Sequence, residues 1–152
     1  MAADADTLRT WWRSWAPYWD LMEDRHFDAG VAASHAGVIE GPALVTGAGQ
    51  GLIVEHLERR GCEAIGLDLD RDMVSAGSRR GRKGLMAGDA RHLPFASRSF
   101  RTVIVSSGVV DYASDEAMIG EVLSESMRVL QPHGYLLAGF YEIEFPDVKE
   151  RF

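Results

Sequence analysis

Short apolar runs alternate with longer amphipathic runs from residue 43 to residue 141, and this alternation predicts strands and helices in turn. The predicted strands are ALVT (43–46), EAIGL (63–67), GLMA (84–87), RTVIVS (101–106) and YLLAGFY (135–141). The predicted helices are LIVEHLERR (52–60), RDMVSAGSRR (71–80) and DEAMIGEVLSESMRVL (115–130). Strands and helices joined by such short loops are typical of a parallel sheet covered on both faces. The pattern therefore predicts an α/β fold.

The predicted helix over 115–130 carries a single apolar stripe, which is typical of a helix packed on a sheet. The stripe consists of Met118, Ile119, Val122, Leu123, Met127 and Leu130. Ser114 is predicted to cap the start of this helix, and Pro132 with Gly134 to end it. Asp70 is predicted to cap the helix over 71–80 in the same way.

The first 40 residues differ in character from the rest of the chain. The segment WWRSWAPYWDLM (11–22) holds all four tryptophans, and its aromatic residues recur at spacings of three and four on either side of Pro17. This pattern predicts amphipathic helix that either packs on the core or forms an aromatic lid over a ligand site, and the two are compatible. We therefore predict a helical lid or cap over 1–40 and an α/β domain over 41–152, forming one compact unit.

Composition narrows the class of protein further. The 152 residues, 46% of them hydrophobic, suffice for one domain with its own core. The net charge of −7 argues against a general nucleic-acid binder. The single cysteine, Cys62, favours a reducing compartment, and the histidines show no zinc spacing. No apolar run reaches the roughly 18 residues of a membrane span, and no signal peptide is visible. We expect a cytoplasmic protein without nucleic-acid, membrane or metal partners.

One basic run stands out against this acidic background. RRGRK (79–83) lies between a predicted helix and a predicted strand, away from the edge of the sheet where a ligand would bind. We interpret it as a solvated basic loop, with contact to nucleic acid as the alternative.

A glycine-rich turn, Gly47-Ala48-Gly49-Gln50-Gly51, joins the first predicted strand to the first predicted helix. Glycine lets the backbone turn sharply and approach a ligand closely, with the helix N–H groups facing it. Asp68 ends the second strand, where a carboxylate accepts two hydrogen bonds from a ribose diol. Together these features predict a nucleoside-binding site. The alternative is an α/β protein whose first loop merely turns tightly.

Nicotinamide cofactors are disfavoured by the spacing around this turn. The nicotinamide fingerprint would need its third glycine where Leu52 stands. VTGAGQG (45–51) is similar to the opening of short-chain dehydrogenases, but Ile53 occupies the position of that family's last glycine. That family also needs a tyrosine four places before a lysine, and neither Lys83 nor Lys149 has one.

Four further motifs follow Asp68 in order: Gly88-Asp89-Ala90, LPFASRSF (93–100), RTVIVSSGVVDY (101–112) and VLQPHG (129–134). The ordered series resembles the class I S-adenosylmethionine-dependent methyltransferases, particularly the branch that includes quinone-biosynthesis C-methyltransferases. The resemblance covers roughly residues 43–142. It implies a Rossmann-like, doubly wound, mainly parallel sheet in three α-β-α layers, with S-adenosylmethionine as the cofactor.

The resemblance also implies a set of cofactor-binding residues, namely Gly47, Ala48, Gly49, Gly51, Asp68, Leu69, Asp89, Ala90, Ser106 and Ser107. The glycine turn would lie beside the methionine and ribose parts, and the two serines would line the methyl-donor pocket. Asp68 would hold the ribose hydroxyls, and Leu69 would lie beside adenine. Asp89 would face the adenine amino group, and the N–H of Ala90 a ring nitrogen. For each acid the alternative is a helix cap or a solvated loop residue.

The sequence departs from the family pattern at three places. Val45 stands where the family usually carries an acid that orients the cofactor's amino-acid end. Arg101 stands directly after Phe100, which opens the fourth strand, where the family commonly carries an Asp. The sequence stops at Phe152, without the helix and β-hairpin that complete the family's seven-stranded sheet. The chain is then a fragment, is completed by a partner chain, or is naturally minimal. A bare edge of the fifth strand would favour pairing with a second copy.

The predicted function is methyl transfer from S-adenosylmethionine to a small-molecule acceptor, by displacement at the sulfonium methyl. Only an acceptor that must lose a proton needs a general base, and no single residue is assigned to that role. The candidates are Asp111, Tyr112, His133 and Glu142. The aromatic residues of 11–22 could close over the sulfonium. The alternative function is a non-catalytic module that binds cofactor or a partner, which Val45 and the early end favour.

Overall fold

The computed structural model of the chain describes Thr10 and residues 37–110 and 116–139. Within these residues the elements are β1 (Ala43–Thr46), α1 (Leu52–Arg59), β2 (Ala64–Asp68), α2 (Arg71–Arg79), β3 (Leu85–Ala87), β4 (Phe100–Val105), α3 (Ser107–Val110), α4 (Glu116–Val129) and β5 (Leu130–Ala138). The predicted α/β alternation is confirmed. The predicted aromatic cap over 11–22 and the predicted cap residue Ser114 lie outside the described residues.

The five strands form one parallel sheet in the order β3-β2-β1-β4-β5. The chain starts at the centre with β1, moves outward through β2 and β3, and then crosses to β4 on the other side of β1. The carboxyl ends of β1 and β4 are therefore neighbours at the point where the winding reverses. Open α/β sheets bind ligands in the crevice at such a switch point. The predicted doubly wound, Rossmann-like sheet is confirmed.

Two apolar clusters cover the two faces of this sheet. One face packs against α4, and its cluster includes Leu44, Leu67, Val103, Val105, Val122 and Val129. The other face packs against α1, and its cluster includes Ala43, Val45, Val54, Leu57 and Ile104. Successive residues of a strand point to opposite faces, which is why neighbours in β1 and in β4 join different clusters. The result is the predicted three-layer arrangement.

The start of β5 differs from the prediction. This strand begins at Leu130, directly after α4, although an extended run was predicted only from residue 135. Leu130 pairs with Phe100 and Tyr135 pairs with Thr102, so four residues of β5 bulge out opposite one residue of β4. Inside this bulge His133 has a φ of 62°. The segment with Pro132 and Gly134, predicted to end the helix, is therefore part of the strand, three residues beyond the end of α4.

The basic run at 79–83 is solvated only in part. Arg79, Arg80 and Lys83 are exposed, but only 8% of the Arg82 side chain is accessible. The Nε of Arg82 donates to a Glu55 carboxylate oxygen at 2.8 Å, and one Nη donates to the Gln50 carbonyl oxygen at 3.5 Å. The Arg82 guanidinium also lowers the pKa of Glu55. Arg82 thus ties the loop after α2 to α1 and to the glycine turn.

The buried face of α4 is rotated from the predicted stripe. Val122, Ser126 and Val129 are buried, whereas Met127 is 58% exposed. Ser126 tolerates burial because its hydroxyl donates to the Val122 carbonyl oxygen at 2.8 Å. The spacing of four and then three residues between the buried positions still matches a helix face.

Two truncations on α4 test this orientation. We expect Val122→Ala to lower the free energy of unfolding by about 2 kcal/mol, because Val122 is 2% exposed and leaves a cavity. Met127→Ala should change it by less than about 0.5 kcal/mol, because exposed side chains contribute little packing. Urea denaturation measures both variants. Equal losses would mean that a different face of α4 packs on the sheet.

Candidate functional site

The glycine turn lies at the carboxyl end of β1 and is shaped by residues that must be glycine. Gly47, Gly49 and Gly51 have φ values of 69°, 56° and 87°, in the left-handed region that other residues rarely adopt. A Cβ on Gly47 would lie 2.5 Å from the Ser106 Oγ and would also collide with the Val109 side chain. The N–H of Ala48 donates to the Leu67 carbonyl oxygen at 3.1 Å, which folds the turn back against β2.

Asp68, the last residue of β2, is held under this turn by two backbone N–H groups. One carboxylate oxygen accepts from the Gly49 N–H at 2.7 Å, and the other accepts from the Asp70 N–H at 2.8 Å. Each oxygen keeps a further lone pair for a ligand hydroxyl. Burial raises the pKa of Asp68, while the two N–H donors act in the opposite direction. The carboxylate is therefore oriented by the chain before any ligand arrives.

The helix cap beside Asp68 is a different residue. Asp70 caps α2, as predicted, because its carboxylate accepts from the Asp72 N–H at 2.7 Å. The alternative interpretation of Asp68 as a helix cap is therefore wrong. Leu69 lies between these two acids and is half-buried.

Asp89 follows β3 and is engaged by a residue that the sequence interpretation missed. Its carboxylate forms an ion pair with Arg91, whose Nη2 lies 2.6 Å from Oδ2, and its Oδ1 accepts from the Arg91 backbone N–H at 2.9 Å. The pair lowers the pKa of Asp89. The N–H of Gly88 donates to the Asp68 carbonyl oxygen at 2.8 Å, so the segment carrying Asp89 adjoins the end of β2. The sequence signal for this ion pair is the basic Arg91, two residues after the acidic Asp89.

The two predicted serines are buried at the carboxyl end of β4. The hydroxyl of Ser106 donates to the Gly47 carbonyl oxygen at 2.8 Å, and its N–H donates to the Thr46 carbonyl oxygen at 3.0 Å. Ser106 therefore links the ends of β1 and β4 and stabilises the glycine turn. Ser107 is 1% exposed and begins α3, directly after the predicted strand over 101–106.

Val45 replaces the family's usual acid in an apolar environment. Its side chain is fully buried in the cluster with Val54 and Leu57 of α1. Position 45 therefore supplies no carboxylate to orient a ligand. The site as described places its charge on Asp68 and Asp89, at the ends of β2 and β3.

Of the four candidate general bases, the structure describes only His133. His133 lies in the bulge near the amino end of β5, whereas the glycine turn and Asp68 lie at the carboxyl ends of the strands, so His133 as a base is wrong. Asp111, Tyr112 and Glu142 lie outside the described residues. Within 37–110 and 116–139, no three potential metal ligands cluster. In the same ranges, no helix is long and apolar enough to cross a membrane.

Comparison with protein families gives one matching domain. The family described as "Methyltransferase domain" matches residues 44–138, which include every predicted cofactor-binding residue. Demethylmenaquinone methyltransferase from Thermobifida fusca is 38% identical over 96 residues, covering 59% of this chain and 39% of that protein. The Mycobacterium tuberculosis enzyme of that name is 33% identical over 120 residues, covering 77% and 48%. The chain spans less than half the length of these curated relatives.

Solved structures share the fold. A Haloferax volcanii methyltransferase, solved in complex with the Trm112 methyltransferase activator, matches with a TM-score of 0.67 and 29% identity over 82% of this chain and 57% of that one. The glycopeptide N-methyltransferase MtfA complexed with S-adenosylmethionine matches with a TM-score of 0.63 and 26% identity, over 71% and 48%.

Proposed function

The chain belongs to the methyltransferase-domain family, and from this premise we propose that it binds S-adenosylmethionine and transfers the methyl group to a small-molecule acceptor. The observation that carries the proposal is the geometry of Asp68. Both its oxygens are fixed by the N–H groups of Gly49 and Asp70, directly beneath the glycine turn. A carboxylate held in this way can accept two hydrogen bonds from a ribose diol without first paying to become ordered.

The described residues suit the cofactor part by part. Because a Cβ on Gly47 would collide with Ser106 and Val109, only glycine lets the turn pack this closely against the carboxyl end of β4. We assign the methionine and ribose parts to the turn, with Gly47, Ala48, Gly49 and Gly51, and to Asp68. We assign adenine to Leu69, Asp89 and Ala90, and the methyl-donor side to Ser106 and Ser107.

The bound cofactor would supply an activated methyl group, and the protein's part is to bind, orient and exclude water. The turn would hold the methionine part of the cofactor, Asp68 the ribose in the middle, and Asp89 the adenine end. With Val45 buried among apolar side chains, the amino-acid end must be oriented by other groups. We propose that the segment 1–40 closes over this side of the domain as a cap.

We further propose an acceptor class and a partner for this chain. Two curated relatives are demethylmenaquinone methyltransferases, so a quinone-type ring is the first acceptor to test. We propose that the protein acts in the cytoplasm without nucleic acid. Within the described residues β5 pairs with β4 alone, so its free side could pair with a second copy of the chain.

Calorimetric titration with S-adenosylhomocysteine tests cofactor binding, with NAD as the parallel control. We expect micromolar binding of S-adenosylhomocysteine and no binding of NAD. In a second experiment with labelled S-adenosylmethionine, we expect transfer of the methyl group to demethylmenaquinone or a smaller acceptor. Cofactor binding without transfer to any acceptor would favour the alternative of a non-catalytic module. Binding of NAD alone would contradict the cofactor assignment.

A further inference from the structure

The segment that connects β3 to β4, residues 88–99, contains neither helix nor strand, yet it carries Asp89 and Ala90. We call it the 88–99 loop. Its first turn is closed locally, because the His92 N–H donates to the Asp89 carbonyl oxygen at 3.0 Å and Arg91 pairs with the Asp89 carboxylate. The rest of the loop needs partners for its backbone from elsewhere in the fold.

Glu125 and Arg128 of α4 supply those partners. One carboxylate oxygen of Glu125 accepts from the Leu93 N–H at 2.8 Å. Arg128 donates to the carbonyl oxygens of Leu93 and Phe95, at 3.0 and 2.9 Å. The two side chains also bind each other along one edge of the guanidinium, with Nε donating to one Glu125 oxygen at 2.6 Å and Nη2 to the other at 2.8 Å. The ion pair therefore supplies hydrogen-bond partners for the backbone of Leu93 and Phe95 in the 88–99 loop.

Hydrogen bonds to the loop backbone fix the orientation of both side chains of this ion pair. Arg128 has its donors in a rigid planar fork, and Glu125 and two carbonyl oxygens take up that fork. The Arg128 guanidinium lowers the pKa of Glu125 to about 2, so Glu125 stays ionised at physiological pH. Beneath the contact Leu93 is 5% exposed in the α4 cluster. The position of the loop is thus set by α4.

The same helix also acts on Arg91. Asp89 raises the pKa of the Arg91 guanidinium, and the charge of Glu121, one turn before Glu125, adds to this in the same direction. Since Arg91 holds the Asp89 carboxylate, α4 influences Asp89 both through the loop backbone and through Arg91.

We infer that Glu125 and Arg128 are positioning residues for the adenine end of the cofactor site, acting through the 88–99 loop. The inference rests on the proposed function, which assigns Asp89 and Ala90 to adenine. Asp68 holds the ribose from β2, and that contact depends on Gly49 and Asp70 instead. Disturbing the ion pair should therefore change recognition of the base more than binding of the ribose.

The test compares two ligands that differ only in the base. S-adenosylhomocysteine presents an amino group to Asp89 and a ring acceptor to the Ala90 N–H, whereas S-inosylhomocysteine presents an oxygen and a ring N–H at the same places. We expect wild type to prefer the adenine ligand by about tenfold or more, since the inosine ligand sets an oxygen against the Asp89 carboxylate and leaves the Ala90 N–H without an acceptor. In Glu125→Gln and Arg128→Lys the preference should fall at least about threefold, by calorimetry.

If the pair had a merely structural role, its loss would weaken the binding of both ligands by the same factor. The ratio of the two dissociation constants would then stay unchanged. Each variant is titrated at a temperature where circular dichroism shows it folded. Glu116→Gln is the matched control, because Glu116 is an exposed acid at the start of α4, and its ratio should equal wild type. If Arg128→Lys does not fold, the isosteric Glu125→Gln alone decides.

The outcomes separate this inference from the proposed function. Wild type that binds neither ligand contradicts the proposed function, and the inference falls with it. Wild type that binds both ligands equally contradicts the assignment of Asp89 and Ala90, and with it the inference. Wild type with a preference that both variants retain in full overturns the inference and leaves the proposed function standing.

Discussion

Replacement of Asp68 by alanine is expected to weaken binding of S-adenosylhomocysteine by at least about 100-fold. The variant loses two charge-assisted hydrogen bonds to the ribose, each worth about 1.5 kcal/mol or more, and about 1.4 kcal/mol corresponds to tenfold in affinity. The chain has already oriented the carboxylate with the N–H groups of Gly49 and Asp70, so little of this energy is spent on ordering it. Isothermal titration measures the dissociation constant.

Two matched variants make this result interpretable. Asp68→Asn keeps the shape and one acceptor and should lose less than alanine does. Glu63→Gln removes an exposed acid just before the other end of β2 and should bind like wild type. A dissociation constant for Asp68→Ala within about threefold of wild type would show that the ribose is not held there.

Wild type should show a matching dependence on pH. Burial raises the pKa of Asp68, so its carboxylate takes up a proton at a higher pH than an exposed aspartate does. Only the ionised form accepts two hydrogen bonds from the ribose, so affinity is complete above this pKa and falls below it towards the affinity of Asp68→Asn. Titrations from neutral pH downward should show this fall in wild type and not in Asp68→Asn.

A single methyl group at Gly77 should lower both stability and cofactor affinity. Gly77 is buried in α2, and a Cβ there would collide with the carbonyl oxygen of Gln50 in the glycine turn and lie 2.7 Å from a Leu85 methyl carbon. Relief of this collision must move backbone that carries the Gly49–Asp68 hydrogen bond. We expect Gly77→Ala to lower the free energy of unfolding by about 2 kcal/mol and affinity by about tenfold.

The control reverses the sign of the effect on stability. In a helix interior, replacement of glycine by alanine normally stabilises by about 1 kcal/mol. Gly120 of α4 is exposed, and a Cβ there would meet nothing within 4 Å, so Gly120→Ala should stabilise by about that amount. Urea denaturation compares the two variants. A Gly77→Ala protein as stable as wild type would mean that α2 and the glycine turn are less closely packed.

The elements closest to the site could be predicted because their signals are local in the sequence. The glycines of the turn stand together, and each has the positive φ for which glycine is preferred. Asp68 ends a buried strand, and the β-α-β alternation brings that end beside the turn, because parallel neighbours share an edge. The capping role of Asp70 was equally readable from its place directly before a helix.

Other features depend on partners far away along the chain. The basic run with Arg82 is interpreted from the sequence as a solvated loop because it lies between two elements and away from the ligand edge, but Arg82 pairs with Glu55 of α1. The Leu93 N–H and the Leu93 carbonyl oxygen bind Glu125 and Arg128, more than thirty residues later. A pattern within one helix likewise cannot say whether Met127 or Ser126 faces the sheet, since both lie near the apolar stripe.

By itself the sequence determined the fold class, the order of the elements, the glycine turn and the acids at the ends of β2 and β3. These follow from hydrophobic periodicity and from the backbone preferences of single residues, which act over a few positions. Only the tertiary structure decided that Asp68 is held by two N–H groups, that Asp89 is paired with Arg91, that His133 lies away from the site and that α4 holds the 88–99 loop. The reason is that the direction of a side chain is set by what packs around it, and most of those neighbours are distant in the sequence.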